Sequence, residues 1–381
     1  MSERTRMNIP LLDLKAQYQG IKKEVDDIML KVVERQNFIL SREVSDLERE
    51  IAEYVGVSHA AGVASGTDAL ILAMRAAGIG EGDLVITTPF TFFATSESIS
   101  ILGAKPVFVE IDPGTYNIDP AGIEALLRDT RYEIRDTIKA IIPVHLYGQC
   151  ADMARIMAIA DEHGLKVIED CAQAIGATHK GRQAGSFGAA GCMSFFPSKN
   201  LGGFGDGGMV VSPDASLIEH VKKLRAHGSN EQYIHEEIGY NSRLDSLQAA
   251  ILRVKFKKLD AWFEKRRAIA KRYDETFSPL GITVPQVAEG NVHTYHQYTI
   301  ALDDRDGLRQ HLKARGVAAR AYYPVPLHLQ PCYRSLGYSA GAFPVSEKAA
   351  KKVLSLPVYP ELSDEEVEYI IGAVKDFVSG K

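Results

Sequence analysis

Residues 139–170 read KAIIPVHLYGQCADMARIMAIADEHGLKVIED. KAIIPVHL (139–146) is an apolar, β-rich run of the kind that fills a buried strand. MARIMAIADEH (153–163) places its apolar residues at helical spacing and stops at Gly164, and KVIED (166–170) is a second apolar strand. Strand, helix and strand, with both strands apolar on both faces, specify a parallel pair joined by a crossover helix. The same alternation extends outward. LVITT (84–88), KPVFVE (105–110), MSFF (193–196) and MVVS (209–212) read as strands, and Phe93–Leu102 as a helix. A mostly parallel sheet covered by helices follows. Such sheets bind ligands beyond the carboxyl ends of their strands, where Asp170 closes its strand.

The C-terminal third has a different texture. DSLQAAILRVKFKKLDAWF (245–263) reads as one long amphipathic helix, with apolar residues at 247, 250, 251, 254, 256 and 259. After it come YTIAL, a helix near 306–315, the Pro-rich YYPVPLHLQP (322–331) and a last helix from Asp364. The pattern is a large α/β domain followed by a smaller α+β one, divided on or just after the long helix.

Composition narrows the function. The chain has 381 residues, 45% hydrophobic and 24% charged, with a net charge of −5. Mild acidity argues against a nucleic-acid partner, which favours a basic face. No apolar run approaches the roughly 18 residues of a membrane span. MSERTRMNIPLLDL carries no signal-peptide pattern, so a cytoplasmic location is expected. The four cysteines show no CxxC spacing, consistent with reduced thiols and no metal. His293 and His296 are the closest histidine pair, and in a strand-like stretch they would face opposite sides.

Three stretches carry chemistry. SFFPSKNLGGFGDGG (194–208) sets one lysine, Lys199, beside five glycines in seven residues, between apolar flanks. Glycine permits unusual dihedrals or close approach to a ligand, and the flanks pin the lysine between buried segments. Ser65–Gly66–Thr67 precedes the helical run LILAMRAA. Those residues form either a simple cap or, with Ser194 as a second donor, an anion cradle on free first-turn amides. Asp170 ends a buried strand in VIEDCAQAIGA, where it either caps the next segment at Ala172 or meets a cation; Glu169 beside it points to the opposite face. An anion cradle, an acid at a strand end and a constrained lysine together suit pyridoxal phosphate (PLP). Its phosphate seats at a helix N-terminus, its aldehyde joins a lysine and its ring nitrogen pairs with a carboxylate.

The motifs SGTDAL, TPFTFFAT, PVHLYGQ, VIEDCAQAIGA, SFFPSKNLGGFGDGG and GYNSRLDSLQAAIL, in this order, resemble the DegT/DnrJ/EryC1/StrS family of sugar aminotransferases. The likeness runs from LLDLKAQY to LSLPVYPELSDEEV. It implies an α/β, fold-type I (aspartate aminotransferase-like) architecture. Residues 1–260 would form a large PLP-binding domain around a mostly parallel, seven-stranded-type sheet, and residues 261–381 a small α+β domain. By the same resemblance Lys199 is the Schiff-base lysine, Asp170 the partner of the pyridinium nitrogen and Gln173 a neighbour of the ring hydroxyl. Gly66, Thr67 and Ser194 match phosphate-binding positions, and Phe92 stacks on the ring. Asn241 reaches the cofactor of a neighbouring subunit, so a homodimer with shared active sites is implied. A branch with histidine in place of the lysine dehydrates deoxysugars; Lys199 points to transamination.

The implied reaction moves an amino group from glutamate to a nucleotide-linked keto sugar. NSRLD is similar to enzymes acting at C3, with a 3-keto-N-acetylglucosaminuronate or a 3-keto-6-deoxy sugar as acceptor. A 4-keto sugar or a cyclitol is the alternative within this chemistry, and a non-catalytic PLP-binding regulator the alternative outside it. Arg243 is expected to pair with a substrate carboxylate or to form an interface ion pair. His328 is expected to line the sugar pocket or lie exposed. Tyr322 stands where related uronate enzymes often carry histidine; a phenol can hydrogen-bond but carries no positive charge near neutral pH.

Overall fold

The 139–170 unit folds around a crossover helix, Met153–His163. Asp152 caps its first turn by accepting from the Arg155 amide (3.2 Å), and Gly164 ends it at φ 64°. In this computed structural model, which describes residues 7–129, 136–231 and 233–380, the flanking strands belong to a seven-stranded sheet. Its strands are β1 (His59–Val63), β2 (Leu84–Thr87), β3 (Lys105–Phe108), β4 (Ile138–Ile141), β5 (Lys166–Asp170), β8 (Ala190–Ser194) and β9 (Gly208–Ser212). The short hairpin β6–β7 (Thr178–His179, Arg182–Gln183) lies outside it. The order is β1-β9-β8-β5-β4-β2-β3, and only β9 runs antiparallel to its neighbours. Strand β4 is shorter than the sequence suggests. Pro143 has no N–H for the ladder, and beyond Ile141 the chain keeps pace with β5 through the Val144–Asp170 bridge and the Asp170 amide on the Pro143 carbonyl (2.9 Å).

Helices cover both faces. The helix Gly66–Ala76 packs on one side with Val85, Ile142, Ile168 and Val210; the other side is filled by Leu47, Ile51, Met193, Leu252 and Phe263. The stretch expected as one helix from 245 to 263 is two, Ser246–Phe256 and Leu259–Phe277. A jog at Lys257 and Lys258 separates them, with the Lys258 amide closing a tight turn on the Lys255 carbonyl (2.9 Å). Apolar residues at 249, 252, 259 and 263 still enter one core across the jog.

The helix Leu259–Phe277 reaches a second core with Ile269, Ala270, Tyr273 and Phe277, which pack with Tyr298, Ile300, Leu308, Leu354 and Ile370. Tyr298–Ala301 and Val353–Leu356 pair antiparallel within it. Ile9 is buried in this same core and bridges to Val317, so the N-terminal segment packs with C-terminal residues. No helix among the described residues is long and apolar enough to cross a membrane.

Glu169 and Asp170 diverge as strand alternation requires. Glu169 is buried; it accepts from the amides of Gly185 (2.8 Å), Phe187 (2.7 Å) and Gly188 (2.8 Å) and lies 2.9 Å from Nε2 of His145. Nδ1 of His145 accepts from the Ala151 amide (3.1 Å), which leaves Nε2 as the protonated nitrogen donating to Glu169. Although Cys171 lies near these two groups, their nitrogen and oxygen atoms are engaged in pinning loops to the sheet.

Candidate active site

Asp170 opens into a cavity of about 680 Å³ at the carboxyl edge of the sheet. Its Oδ2 accepts from Thr95 Oγ1 (2.8 Å) and its Oδ1 from the Ala172 amide (3.1 Å). The second contact makes the local turn that the sequence allowed, but no helix begins there. The carboxylate is only 5% exposed, and the two donors fix its direction. Thr95 sits on the helix Ala94–Ile101 and is wholly buried.

Lys199 lines the same cavity. Its amide donates to the Phe196 carbonyl (2.8 Å), which folds SFFPSKN into a turn that presents the side chain inward. Burial lowers its amine to a pKa of about 8, and Asp170 opposes that shift only in part. A lysine near 8 is free amine often enough near neutral pH to act as a nucleophile.

The third component is the start of the helix Gly66–Ala76. Ser65 caps it: its Oγ accepts from the Asp68 amide (3.0 Å) and its carbonyl from Ala69 (3.0 Å), which leaves the Gly66 and Thr67 amides for a ligand. Capping and anion binding thus coexist at this turn. Gly66 is required sterically, because a Cβ there would lie 2.6 Å from Cβ of Ser194. Ser194, at the end of β8, is thereby brought against the helix start, and both residues line the cavity.

Phe92 offers an aromatic ring on the cavity wall, 56% exposed and 6.2 Å from the ring of Tyr323. Gln173 lines it too, held by the Tyr147 amide, which donates to its Oε1 (2.7 Å), and by its own Nε2, which donates to Tyr323 Oη (3.0 Å). The Tyr147 hydroxyl donates to the Tyr322 carbonyl. Tyr322, Arg320, Arg309, His296 and Gln297 also line the cavity.

The structure therefore gathers Gly66, Thr67, Phe92, Asp170, Gln173, Ser194, Lys199 and Tyr322 around one cavity. Three other candidates lie elsewhere. His328 corrects the expectation of a pocket-lining or exposed residue: it is 2% exposed, its ring 4.8 Å from Phe343 and its Nε2 3.1 Å from Glu347 Oε1. The short turn Leu327–Leu329, tied down by the Leu327 amide on the Pro89 carbonyl (2.7 Å), aims it into that aromatic cluster. Asn241 is exposed and Arg243 half-buried; Arg243 Nη2 donates to Asn241 Oδ1 (2.6 Å), and neither lines this chain's own cavity.

Thr95, Tyr323 and His296 were not singled out by the sequence for this site. Thr95 shares the TFFAT motif with Phe92, but nothing in that motif reports its partner Asp170, 75 residues on. In the sequence His296 stands out only as half of the closest histidine pair, with His293. It lies in the cavity wall with Nδ1 3.3 Å from Asn200 Oδ1, and burial, reinforced by Lys199, pushes its pKa well down, so it stays neutral.

These residues fit pyridoxal phosphate. The amine, the fixed carboxylate, the glycine-permitted anion cradle and the exposed ring share one cavity, and together they define a PLP-dependent aminotransferase. The family model described as the DegT/DnrJ/EryC1/StrS aminotransferase family matches residues 19–375, and the chain belongs to that family. It is 51% identical to a protein of Geobacillus stearothermophilus named a pleiotropic regulatory protein, over 97% of this chain and 99% of the relative. It is 47% identical to the UDP-N-acetyl-3-dehydro-α-D-glucosamine 3-aminotransferase of Acidithiobacillus ferrooxidans, over 98% of each. The crystal structure of DesV from Streptomyces venezuelae superposes with a TM-score of 0.93 at 41% identity, covering 97% of this chain and 98% of that one. Solved structures of similar chains include forms holding pyridoxamine phosphate.

A Gly66→Ala substitution tests the cradle. Overpacking of this kind costs about 1–3 kcal/mol. Pushing Ser194 from the helix start is expected to weaken PLP binding by about tenfold or more, read by titrating the cofactor-free protein.

Proposed function

We propose that this protein transfers an amino group from glutamate to the C3 keto group of a nucleotide-linked sugar, in the cytoplasm. Candidate acceptors are a UDP-linked 3-keto-N-acetylglucosamine or its uronate and a dTDP-linked 3-keto-6-deoxyhexose. The observation that carries the chemistry is that Lys199 and Asp170 line one cavity with the cradle of Gly66, Thr67 and Ser194. The C3 position is supported by the name of the Acidithiobacillus relative. Arg309, Arg320 and Tyr322 supply cations and a hydroxyl to the cavity lining, suited to an anionic, hydroxyl-rich acceptor.

When bound, PLP supplies the aldehyde that takes up the amine and the ring that accepts electron density from the donor's α-carbon. The chain does the rest. Gly66, Thr67 and Ser194 would hold the phosphate, Phe92 would pack on the ring and Gln173 would stand by the ring hydroxyl. Asp170 holds the proton of the ring nitrogen, its own direction set by Thr95 and the Ala172 amide. Lys199 Nζ, once displaced, carries the proton away from the α-carbon, and in the second half-reaction returns one to C3 of the sugar.

In this reading residues 1–260 and 261–381 are two domains whose meeting forms the cavity, and the enzyme is a homodimer. Asn241 and Arg243 do not line their own cavity and would serve a partner's; Tyr233 and Ile238, nearby in sequence, are exposed apolar surface for such contact. Mixing an Asn241→Ala chain with a Lys199→Ala chain should then restore activity at one shared site in each mixed dimer.

The test is an absorbance spectrum of PLP-loaded protein. Glutamate should shift the visible band to the near ultraviolet, and a 3-keto nucleotide sugar should restore it. Restoration only by a 4-keto sugar or a cyclitol ketone would move the assignment to that acceptor. The regulatory reading, favoured by the name of the Geobacillus relative, predicts bound PLP and no response to any keto sugar.

Capture of PLP by the cofactor-free protein carries a pH signature. Only the neutral amine attacks, and its fraction falls as pH drops below the amine's pKa. With Lys199 near 8, the second-order capture rate should plateau above that pH and fall about tenfold per unit below it. A rate still climbing to pH 10 would place the amine at its ordinary value.

A further inference from the structure

The glycine segment that follows Lys199 is held from behind by a buried cation. Lys255, on the helix Ser246–Phe256, is 1% exposed. Its Nζ donates to the Gly202 carbonyl (2.6 Å) and lies 4.8 Å from the centre of the Phe204 ring. The carboxylate that acts on it electrostatically is Glu361, which forms no hydrogen bond with it. Burial lowers its pKa to about 8, opposed by Glu361. Lysine is seldom enclosed in this way, because desolvating an ammonium is costly unless strong acceptors meet it. A methionine or leucine would fill the same space without that cost, so the ammonium is retained for the contact it makes.

Gln248 lies seven residues earlier on the helix, two turns back on the same stripe. Its Oε1 accepts from the Phe204 amide (2.7 Å). The glycines are what let the segment come so close. A Cβ at Gly203 would lie 2.7 Å from Gln248 Oε1, one at Gly205 3.1 Å from Gln248 Nε2, and one at Gly202 2.3 Å from the Pro197 carbonyl oxygen. The same turn is tied to β8 by the Gly203 amide on the Phe195 carbonyl (2.8 Å) and the Phe195 amide on the Gly207 carbonyl (2.8 Å). A stretch with few side chains can be fixed only through its backbone.

We propose that Lys255, with Gln248, is a positioning residue for Lys199: it grips the backbone of residues 202–204 so that the Lys199 turn presents its amine into the cavity. This inference rests on the reading of Lys199 as the reactive amine. Lys255 touches neither cofactor nor substrate and acts through the Gly202 carbonyl.

Hydrogen–deuterium exchange on the purified full-length chain, combined with borohydride trapping of PLP, tests it. In Lys255→Met, amides in 201–207 should exchange at least about tenfold faster than in the wild type, with distant segments and melting temperature little changed. PLP should be trapped on Lys199 about tenfold more slowly. Lys255→Gln, which keeps an N–H donor, should recover most of both. Wild-type exchange and trapping in Lys255→Met would overturn the proposal, as would faster exchange spread evenly over the chain. Should Lys255→Met fail to fold, Gln248→Leu is read by the same two measurements and the same criteria. If the wild-type chain itself traps no PLP, the reading of Lys199 fails, while the exchange comparison still decides whether Lys255 holds the segment.

Discussion

Replacing Lys199 with alanine is expected to abolish transamination while leaving the protein folded. The expected loss is at least about 10⁴-fold in kcat, because in the proposed mechanism one side chain both anchors the cofactor and moves the proton between carbons. Position makes the effect this large. Among the described residues lining the cavity, His296 is the other nitrogen base with a pKa below its usual range, and burial holds it neutral with its Nδ1 at Asn200. It is not freed by losing Lys199, so no neighbour inherits the role. Stability should hold or rise slightly, since the substitution removes an amine whose burial disfavours its charged form. A glutamate half-reaction followed by stopped-flow absorbance measures the loss. Small primary amines such as methylamine should restore part of the rate, because the missing function is a mobile base and not a shape. Turnover within tenfold of wild type would remove Lys199 from the mechanism.

The sheet was legible because its strands are apolar on both faces and its crossover helix is capped by Asp152 and Gly164, both local signals. The jog at Lys257 was not. The apolar stripe passes through it in phase, with Leu252 before and Leu259 and Phe263 after in one core, so periodicity registers no break. Within the site, chemistry-bearing types stood out singly: a lysine among glycines, an acid at a strand end, small residues at a helix start. Their supports did not. Thr95 and Lys255 act through contacts 75 and 53 residues away in the chain, and no pattern within one segment reports a partner so distant. His328 failed for a related reason. Its Pro-rich loop reads as exposed, yet Phe343 and Tyr338 close over it from a later segment.

Asp170 separates two kinds of support that the sequence could not tell apart. Asp170→Asn keeps the shape and one acceptor oxygen, which can still serve Thr95 or the Ala172 amide. It loses the negative charge that holds the ring-nitrogen proton. A charge-assisted bond exchanged for a neutral one at the electron sink should cost about 4 kcal/mol in the transition state, or roughly a thousandfold in kcat. The melting temperature should barely move. Asp170→Ala adds a second loss, because the Ala172 amide loses its acceptor and the fully buried Thr95 hydroxyl keeps only Thr91 Oγ1, 3.2 Å away. An orphaned buried donor costs about 1–3 kcal/mol, so this variant should melt several degrees lower as well as turn over slowly. The comparison isolates the charge from the scaffold. If Asn and Ala variants lose stability together while the Asn variant keeps near-normal kcat, Asp170 is a turn-former that happens to face the cavity. If the Asn variant melts like wild type and loses the thousandfold, the carboxylate is there for its charge, and Thr95 and Ala172 exist to aim it.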